Sequence, residues 1–347
     1  MVDVRDAAEA AARRSYGKLV AILAARTGDV AGAEDALSEA FGTALEDWPR
    51  TGVPANAEAW LLTVARRRVV DAVRRRQLDE GASQHFALLE ELAEPADANA
   101  LPDRRLELLF ACAHPGIDAS ARAPLMLQTV LGFDAGTIAS AFLVAPATMS
   151  QRLVRAKTKI RQAGIGFRVP QREELAGRLD AVLSAIYAAY AEGWSDAQGA
   201  DPQRRNLAEE AIFLGRLVAA LLPQEAEALG LLSLMLYAHA RRAARRDESG
   251  DYVPIARQDT ALWDAAMIGE AEALLRAAGA LGAPGRFQLE AALQSAHSVR
   301  RTGAAVPWAD IVGIYDALLA CTDSPVTAVN RAVAISQAED ARAGLEA

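Results

Sequence analysis

The apolar residues of this chain recur at steps of three and four positions, and alternation of apolar and polar residues is nearly absent. A repeat near 3.6 residues is the pattern of amphipathic helices, whereas strands with one buried face alternate with a period of two. Alanine, leucine, arginine and glutamate, all strong helix formers, dominate the composition, and only 5% of the residues are aromatic. The sequence therefore predicts an all-α fold over its 347 residues.

Residues 144–161 give the strongest indication of function, because they hold five basic side chains and no acid. Their apolar residues follow helical spacing, which predicts one face in a core and a polar face outside. The predicted inward residues are Met149, Leu153, Ala156 and Ile160, and the predicted outward residues are Gln151, Arg152, Arg155 and Lys159. A short helix capped by Asp134 and a tight turn at residues 143–146 precede this helix. Helix, short turn and basic helix is the helix-turn-helix pattern of DNA-binding proteins.

Charge is unevenly distributed between the two halves of the chain. The formal net charge is −8, yet residues 1–172 hold 22 basic and 21 acidic residues and are close to neutral. Residues 173–347 hold 15 basic and 24 acidic residues, a net charge of −9. Because phosphate contact by Arg and Lys underlies nucleic-acid affinity, binding of a polyanion is predicted for the first half. The acidic second half is better suited to protein contact or regulation.

A second basic helix is predicted over residues 58–76, where two arginine triplets flank a single aspartate. Its predicted inward stripe is Leu62, Ala65, Val69 and Val73, and its opposite face carries Arg67, Asp71 and Arg74, with Arg75 beside them. One arginine-rich helix is often only a solvated surface, but two of them in an acidic chain favour nucleic-acid binding. Trp60, which follows a turn-rich segment, either stacks on an unpaired base or anchors the helix in the core, and both roles are compatible.

Composition divides the chain into four regions. The predicted boundaries are a helical domain at 3–77, an acidic linker at 78–103, a second helical domain at 104–170 and a helical C-terminal region at 171–347. Breaks in the first domain are expected at Gly28-Asp29 and at residues 49–54, where glycine and prolines interrupt the pattern. Helices of the last region are predicted at 173–192, 205–222, 224–246, 260–279, 286–301, 308–320 and 325–337. They resemble a tetratricopeptide-like or other α-solenoid array, although no clean repeat period is present.

The two helical domains, in this order, resemble the extracytoplasmic-function (ECF) group of bacterial RNA polymerase sigma factors, within the sigma-70 family. Ala33-Glu-Asp-Ala-Leu-Ser-Glu-Ala-Phe41 is similar to their helix that docks on the clamp helices of the polymerase β′ subunit. Trp60-Leu-Leu-Thr-Val-Ala-Arg-Arg67 is similar to the segment that opens the minus-ten element and holds a flipped base. Residues 139–161 resemble the helix pair that reads the minus-thirty-five element. Residues 142–170 are also similar to a subgroup with a long, tetratricopeptide-like C-terminal extension.

The resemblance implies a sigma factor that directs core RNA polymerase to promoters, with contacts to the β′ clamp helices, the β flap and promoter DNA. Asp35 and Glu39, acids one helical turn apart, are the expected polymerase contacts. The expected DNA contacts are Asn56, Trp60, Arg67, Arg74 and Arg75 at the minus-ten element, and Thr148, Gln151, Arg152, Arg155 and Lys159 at the minus-thirty-five element. Residues 171–347 are expected to regulate activity, through a regulatory protein or an intramolecular contact.

An alternative interpretation is a stand-alone helix-turn-helix transcriptional regulator whose helical region binds a peptide or another ligand. No glycine-rich phosphate loop, nucleophile elbow or triad pattern occurs, so we expect neither catalysis nor a cofactor. Cys112 and His114 lie two residues apart, but the other histidines are scattered, and no metal site is predicted. The chain has no apolar signal segment, no apolar run of membrane length and only two distant cysteines, which predicts a cytoplasmic protein that makes no membrane contact.

Overall fold

The structure is a computed structural model that describes residues 4–80, 103–194, 202–247, 249–322 and 324–347. Within these ranges the chain forms helices joined by turns and contains no β-strand; an isolated antiparallel bridge joins Arg246 and Tyr252. The predicted all-α fold is confirmed. Nearly all of the predicted acidic linker lies outside the described residues.

Eight helices make up the first part of the described chain. They are α1 (Val4–Thr27), α2 (Val30–Thr51), α3 (Ala57–Glu80), α4 (Arg105–Cys112), α5 (Ala119–Leu131), α6 (Ala135–Ala141), α7 (Pro146–Gln162) and α8 (Arg172–Trp194). Contacts divide the chain into two compact units, Met1–Ala185 and Ile186–Ala347, and the division falls inside α8.

Helix α1 lies at the centre of the first unit and packs against α2, α3, α4 and α5. At its closest approach to α5, a Cβ added to Gly17 would lie 2.1 Å from the carbonyl oxygen of Val130. Glycine permits this approach because it has no side chain. On the same side, the ring of Tyr16 lies against Gly132, just after α5. The helices on either side of the predicted linker therefore pack together in one unit.

The ends of α2 differ in part from the prediction. The break at Gly28-Asp29 is present, and the Asp29 carboxylate caps α2 by accepting a hydrogen bond from the amide of Gly32 at 3.1 Å. The break expected at residues 49–54 begins later, because α2 continues through Pro49 to Thr51. Proline removes only one backbone hydrogen bond from this last, exposed turn, so the helix persists until Gly52, whose φ of 85° ends it.

The second unit is built from seven further helices and four short 3-10 helices. The α-helices are α9 (Pro202–Leu221), α10 (Ala226–Ala240), α11 (Ala265–Ala280), α12 (Arg286–Ser298), α13 (Trp308–Cys321), α14 (Pro325–Ala338) and α15 (Ala341–Glu346). The 3-10 helices are Arg242–Ala244, Ile255–Arg257, Thr260–Leu262 and Val299–Thr302. Helix α10 packs against α9, α11 and α12 and is buried on nearly every face, which makes it the core helix of this unit. No helix of the described ranges combines the length and hydropathy of a membrane span.

Two predicted helices of the second unit are too long. The helix expected at 224–246 ends at Ala240, and the one expected at 260–279 begins at Ala265. Asp264 explains the later start, because its carboxylate caps α11 by accepting from the amide of Met267 at 2.9 Å. The amide of Asp264 also donates to the carbonyl of Ala240 at 2.9 Å, so residues 241–264 form a closed loop.

Candidate nucleic-acid interface

Helices α6 and α7 are the two helices for which the sequence predicts a helix-turn-helix, and residues 142–145 join them. The Asp134 carboxylate caps α6 by accepting hydrogen bonds from the amides of Gly136 and Thr137, at 2.8 and 2.9 Å. The turn to α7 passes through Leu143, whose φ of 53° makes it the only described non-glycine residue in the left-handed region. Pro146 then occupies the first turn of α7, where its missing N–H costs nothing.

The two faces of α7 are arranged as its sequence predicts. Its buried residues are Met149, Leu153, Ala156 and Ile160. The polar face carries the predicted minus-thirty-five contacts, of which Thr148, Gln151, Arg155 and Lys159 are exposed and Arg152 is half-buried. Packing of the apolar stripe against the unit thus fixes which side chains point outward.

Three of these basic side chains line a concavity of about 490 Å³ beside the start of α5. Its walls include Arg152, Arg155 and Lys159 from α7, together with Asp118 and Ser120 from the approach to α5. Hydrogen bonds from Ser120, helped by nearby arginines that include Arg152, hold the pKa of the Asp118 carboxyl below its usual range. The concavity is therefore mainly cationic, with one carboxylate already occupied by its capping role.

Two other basic residues of α7, Lys157 and Arg161, form ion pairs with acids of α2 and its cap. Lys157 forms an ion pair with Glu34 in which both side chains are only 12% exposed. Arg161 lies 3.4 Å from the carboxylate of Asp29, at the start of α2. Burial raises the pKa of the Glu34 carboxyl, and the opposing effect of Lys157 does not fully cancel it. Sequence reasoning missed this contact because no local pattern pairs residues that are 123 positions apart.

Helix α3 presents part of the second predicted DNA surface. Arg67 is exposed, as expected, whereas its neighbour Arg68 lies 3.4 Å from the carboxylate of Glu39 on α2. The backbone of Arg74 and Arg75 belongs to α3, but their side chains lie outside the described part of the structure.

Asn56 and Trp60 lie at the start of α3. The side-chain oxygen of Asn56 accepts a hydrogen bond from the amide of Ala59 at 3.0 Å, so this residue caps the helix. Sequence reasoning had assigned Asn56 only to a base contact, although asparagine before a helix is itself a capping signal. The ring of half-buried Trp60 packs edge-on against buried Trp48, with centroids 5.5 Å apart. Trp60 thus anchors α3 and still presents part of its surface.

The predicted polymerase contacts lie on α2. Asp35 and Glu39 are both exposed, one helical turn apart. Glu34, between α2 and α7, faces away from solvent. Neighbouring acids of α2 therefore differ in their surroundings, since Glu34 is largely buried against α7 and Asp35 and Glu39 are exposed.

No group of three or more His, Cys, Asp or Glu side chains in the described ranges is arranged to hold a metal ion. Cys112 is buried, and its Sγ lies 3.4 Å from the hydroxyl of Thr129. The Nδ1 atom of His114 accepts a hydrogen bond from the amide of Gly116 at 3.0 Å. Each of these two side chains is thus engaged locally.

Comparison with known families identifies the class of this fold and site. Residues 12–78, which cover most of α1–α3, match Sigma-70 region 2, and residues 178–279 match a family of unknown function (DUF6596). Residues 12–78 thus form a sigma-70 region 2 domain, which supports a role in transcription initiation and binding to core RNA polymerase and promoter DNA.

The chain also belongs to the same family as a protein of Rhizobium meliloti (strain 1021) described as "Uncharacterized protein R00370". The two are 39% identical over 319 residues, which cover 90% of this chain and 75% of that protein. No solved structure matches the chain.

Proposed function

We propose that this protein is a sigma factor of the extracytoplasmic-function group whose residues 171–347 form a tetratricopeptide-like regulatory domain. The observation that carries the proposal is the exposed basic face of α7, which lies in the same compact unit as the sigma-70 region 2 helices. A protein with region 2 and a second DNA-binding helix can engage a promoter at two places. In this proposal residues 3–77 bind polymerase and the minus-ten element, and residues 104–170 bind the minus-thirty-five element.

At the minus-thirty-five element, α7 would enter the major groove with its exposed face. The proposed contacts are Thr148, Gln151, Arg152, Arg155 and Lys159. The forked guanidinium group suits guanine and the glutamine amide suits adenine, and a good bidentate pair contributes about 1–3 kcal/mol of discrimination. The cationic concavity beside α5 places further positive charge where backbone phosphates would pass.

At the minus-ten element, α3 would approach the DNA. Arg67, Arg74 and Arg75 would neutralise backbone phosphates, and Asn56 and Trp60 would meet an extruded base. Extrusion costs a few kcal/mol of stacking, which contacts in the complex must offset. The exposed part of Trp60 supports a stacking role, because edge-on packing against Trp48 holds the ring in place.

Polymerase binding would use the exposed acids of α2. Asp35 and Glu39 would contact the β′ clamp helices, and the β flap is the second polymerase contact that the resemblance implies. Acids on one helix face suit a basic partner and also accelerate its approach. Glu39 would exchange its exposed ion pair with Arg68, which is worth little, for contacts to polymerase.

Engagement of both promoter elements would require α7 to leave α2. Two elements separated by roughly 20 base pairs lie about 70 Å apart along B-DNA at 3.4 Å per base pair. In the structure, α2 and α7 are in direct contact through the ion pairs of Lys157 and Arg161. Release of these two pairs would free both basic residues to contact DNA.

The proposal is tested by two variants in reconstituted transcription with core RNA polymerase. Arg155→Ala should weaken promoter binding at least tenfold, about 1.4 kcal/mol, without changing affinity for core polymerase. Glu39→Ala should weaken core binding and leave the DNA contacts of α7 unchanged. Arg342→Ala, which removes a highly exposed arginine far along the chain, is the matched control and should change neither. Equal loss of both affinities in both test variants would contradict the assignment.

Two further measurements address the remaining parts of the proposal. Removal of residues 186–347, the second compact unit, should change the rate of transcription if this region regulates activity. An unchanged rate would contradict a regulatory role. Tight promoter binding by the chain alone, with no binding to core polymerase, would favour the stand-alone regulator instead.

A further inference from the structure

The second unit contains four arginines close together, which we call the arginine cluster: Arg241, Arg242, Arg245 and Arg300. All four side chains are half-buried. Residues 173–347 carry a net charge of −9, so the arginine cluster is a local concentration of positive charge in an acidic half of the chain. The promoter-binding role proposed above makes no use of the arginine cluster, and residues 178–279, which hold three of its members, match only a family of unknown function.

Several separate segments bring the arginine cluster together. The 3-10 helix Arg242–Ala244 packs against Thr260–Leu262, which in turn packs against Val299–Thr302. The guanidinium carbon of Arg241 lies 5.8 Å from the centre of the Trp263 ring, and Arg241 also donates a hydrogen bond to the side-chain oxygen of Gln294 on α12. The fold thus assembles one site from the end of α10, the loop 241–264 and the end of α12.

Arg241 and Arg242 differ in the charge of their partners. Arg242 lies 3.6 Å from Glu209, but the recorded partners of Arg241 are neutral: the Tyr237 carbonyl, the Gln294 side-chain oxygen and the Trp263 ring. Burial lowers the pKa of the Arg241 guanidinium, which nevertheless remains charged at neutral pH. A half-buried guanidinium that cannot lose its charge favours an anion beside it.

The histidines of the site add no charge of their own. Burial, with Arg300 and Arg241 nearby, lowers the pKa of His297 to about 4, and burial with Arg242 nearby also lowers the pKa of His239, although Glu209 and Asp264 oppose that shift. The carboxylate of Asp264 is already engaged as the cap of α11. At neutral pH the charge of the site therefore comes mainly from the arginine cluster.

Two buried hydrogen-bond donors in this site have no partner among the described residues. They are the indole Nε1 of Trp263 and the Nε of Arg300. The Nδ1 atoms of His239 and His297 are buried and unpartnered in the same way. A buried donor without an acceptor is costly, so sites of this kind are normally completed by water or by a ligand. Both Trp263 Nε1 and Arg300 Nε can only donate, so these groups add no negative charge to the site.

We propose that the arginine cluster binds a small molecule carrying at least two negative charges on carboxylate or phosphate groups. Guanidinium groups hold such oxyanions through paired hydrogen bonds. A small ligand fits better than a nucleic acid, because the half-buried side chains of the arginine cluster are less accessible to a rigid duplex. The site would give the second unit a ligand-binding function separate from promoter contact.

The test uses the full-length chain, with pyrophosphate and citrate as probes of the phosphate and carboxylate classes and sodium chloride at matched ionic strength as the reference. Hydrogen–deuterium exchange should show ligand-dependent protection of residues 240–263 and 294–300. Calorimetry should show saturable binding by one of the two probes with a Kd of about 1 mM or tighter. The probe that binds better identifies the chemical class of the natural ligand.

Variants of Arg241 test whether the probes bind at the arginine cluster. Arg241→Gln should weaken binding at least tenfold, and Arg241→Lys should weaken it less, because lysine keeps the charge but loses the fork. Arg286→Gln, which removes an arginine of the same unit outside the cluster, should retain the protection. Absence of protection in the unmodified chain with both probes would overturn the proposal without requiring any variant to fold. Unchanged binding in a folded Arg241→Gln variant, or much tighter binding of a hexaglutamate peptide, would overturn it as well.

Discussion

Lys157 of α7 and Glu34 of α2 form an ion pair from which solvent is largely excluded, with each side chain 12% exposed. It joins the helix predicted to read the minus-thirty-five element to the helix predicted to dock on polymerase. Two charges removed from water depend on each other, because loss of one leaves the other buried and uncompensated. Substitutions in this ion pair should therefore change how strongly α2 and α7 are held together.

Reversal of one charge in this pair should lower the stability of the protein, and reversal of both charges should restore part of the loss. Lys157→Glu should lower the free energy of unfolding of the first unit by about 3–5 kcal/mol, because it places two carboxylates together. The swap Glu34→Lys with Lys157→Glu should recover at least about 1 kcal/mol of that loss, measured as a coupling free energy in denaturant titrations. Arg342→Glu, in an exposed pair with Glu346, is the control and should change stability by less than about 0.5 kcal/mol. Purely additive effects of the two reversals would show that the side chains do not interact.

The buried carboxyl of Glu34 should also produce a defined pH dependence. Burial raises its pKa in the folded protein above the ordinary 4.5, so the folded state binds this proton more tightly than the unfolded chain does. The resulting stabilisation is complete below the unfolded pKa and is lost as pH rises through the folded pKa. Relative to Glu34→Gln, which cannot titrate, the unmodified protein should therefore lose unfolding free energy as pH rises from about 4.5. Urea titrations across a pH series measure this difference, and a difference that grows with pH would contradict the assignment.

The close approach of α1 and α5 should make Gly17 intolerant of any side chain. A Cβ there would lie 2.1 Å from the backbone oxygen of Val130, so Gly17→Ala should destabilise the first unit by about 1–3 kcal/mol. Gly42→Ala is the matched control, since nothing lies within 4 Å of a Cβ at that position of α2. Removing glycine from an exposed helix interior should stabilise by about 0.5–1 kcal/mol. Urea midpoints that move in the same direction for both variants would show that α1 and α5 are not in contact at Gly17.

The turn between α6 and α7 holds Leu143 in a conformation that leucine disfavours. Its φ is 53° and its side chain is 79% exposed, so little packing is lost on replacement. Leu143→Asn should raise the free energy of unfolding by up to about 1 kcal/mol, because asparagine tolerates the left-handed region. Leu143→Val should lower it, because a β-branched residue tolerates that region least. The midpoints of thermal unfolding of the two variants should therefore shift in opposite directions. Shifts of the same sign would show that Leu143 does not adopt the left-handed conformation.

Local spacing was sufficient to predict the parts of the fold that local physics determines. The stripe of α7 is an example: Met149, Leu153, Ala156 and Ile160 are all buried, as their three- and four-residue steps indicate. The cap at Asp134 was also predicted from the position of an acid before a helix. In these cases the periodicity or the capping residue determines the result, whatever the distant parts of the chain do.

Contacts between distant segments were not predictable from the sequence. The pairing of Glu34 with Lys157 and the approach of Gly17 to Val130 depend on tertiary packing, for which no periodic signal exists. Three members of the arginine cluster lie together at positions 241–245 of the sequence, but the approach of the segment that holds Arg300 depends on tertiary packing. The capping role of Asn56 was missed for a different reason, since it was readable from the position of Asn56 before α3 and was overlooked.

Reconstitution of the full-length chain with core RNA polymerase, followed by sequencing of transcript start sites, tests the central claim most directly. A sigma factor should form a stable complex and yield start sites that share upstream sequence at two positions, and Arg155→Ala should reduce use of the position farther upstream. A chain that neither binds core polymerase nor changes where it initiates would contradict the account.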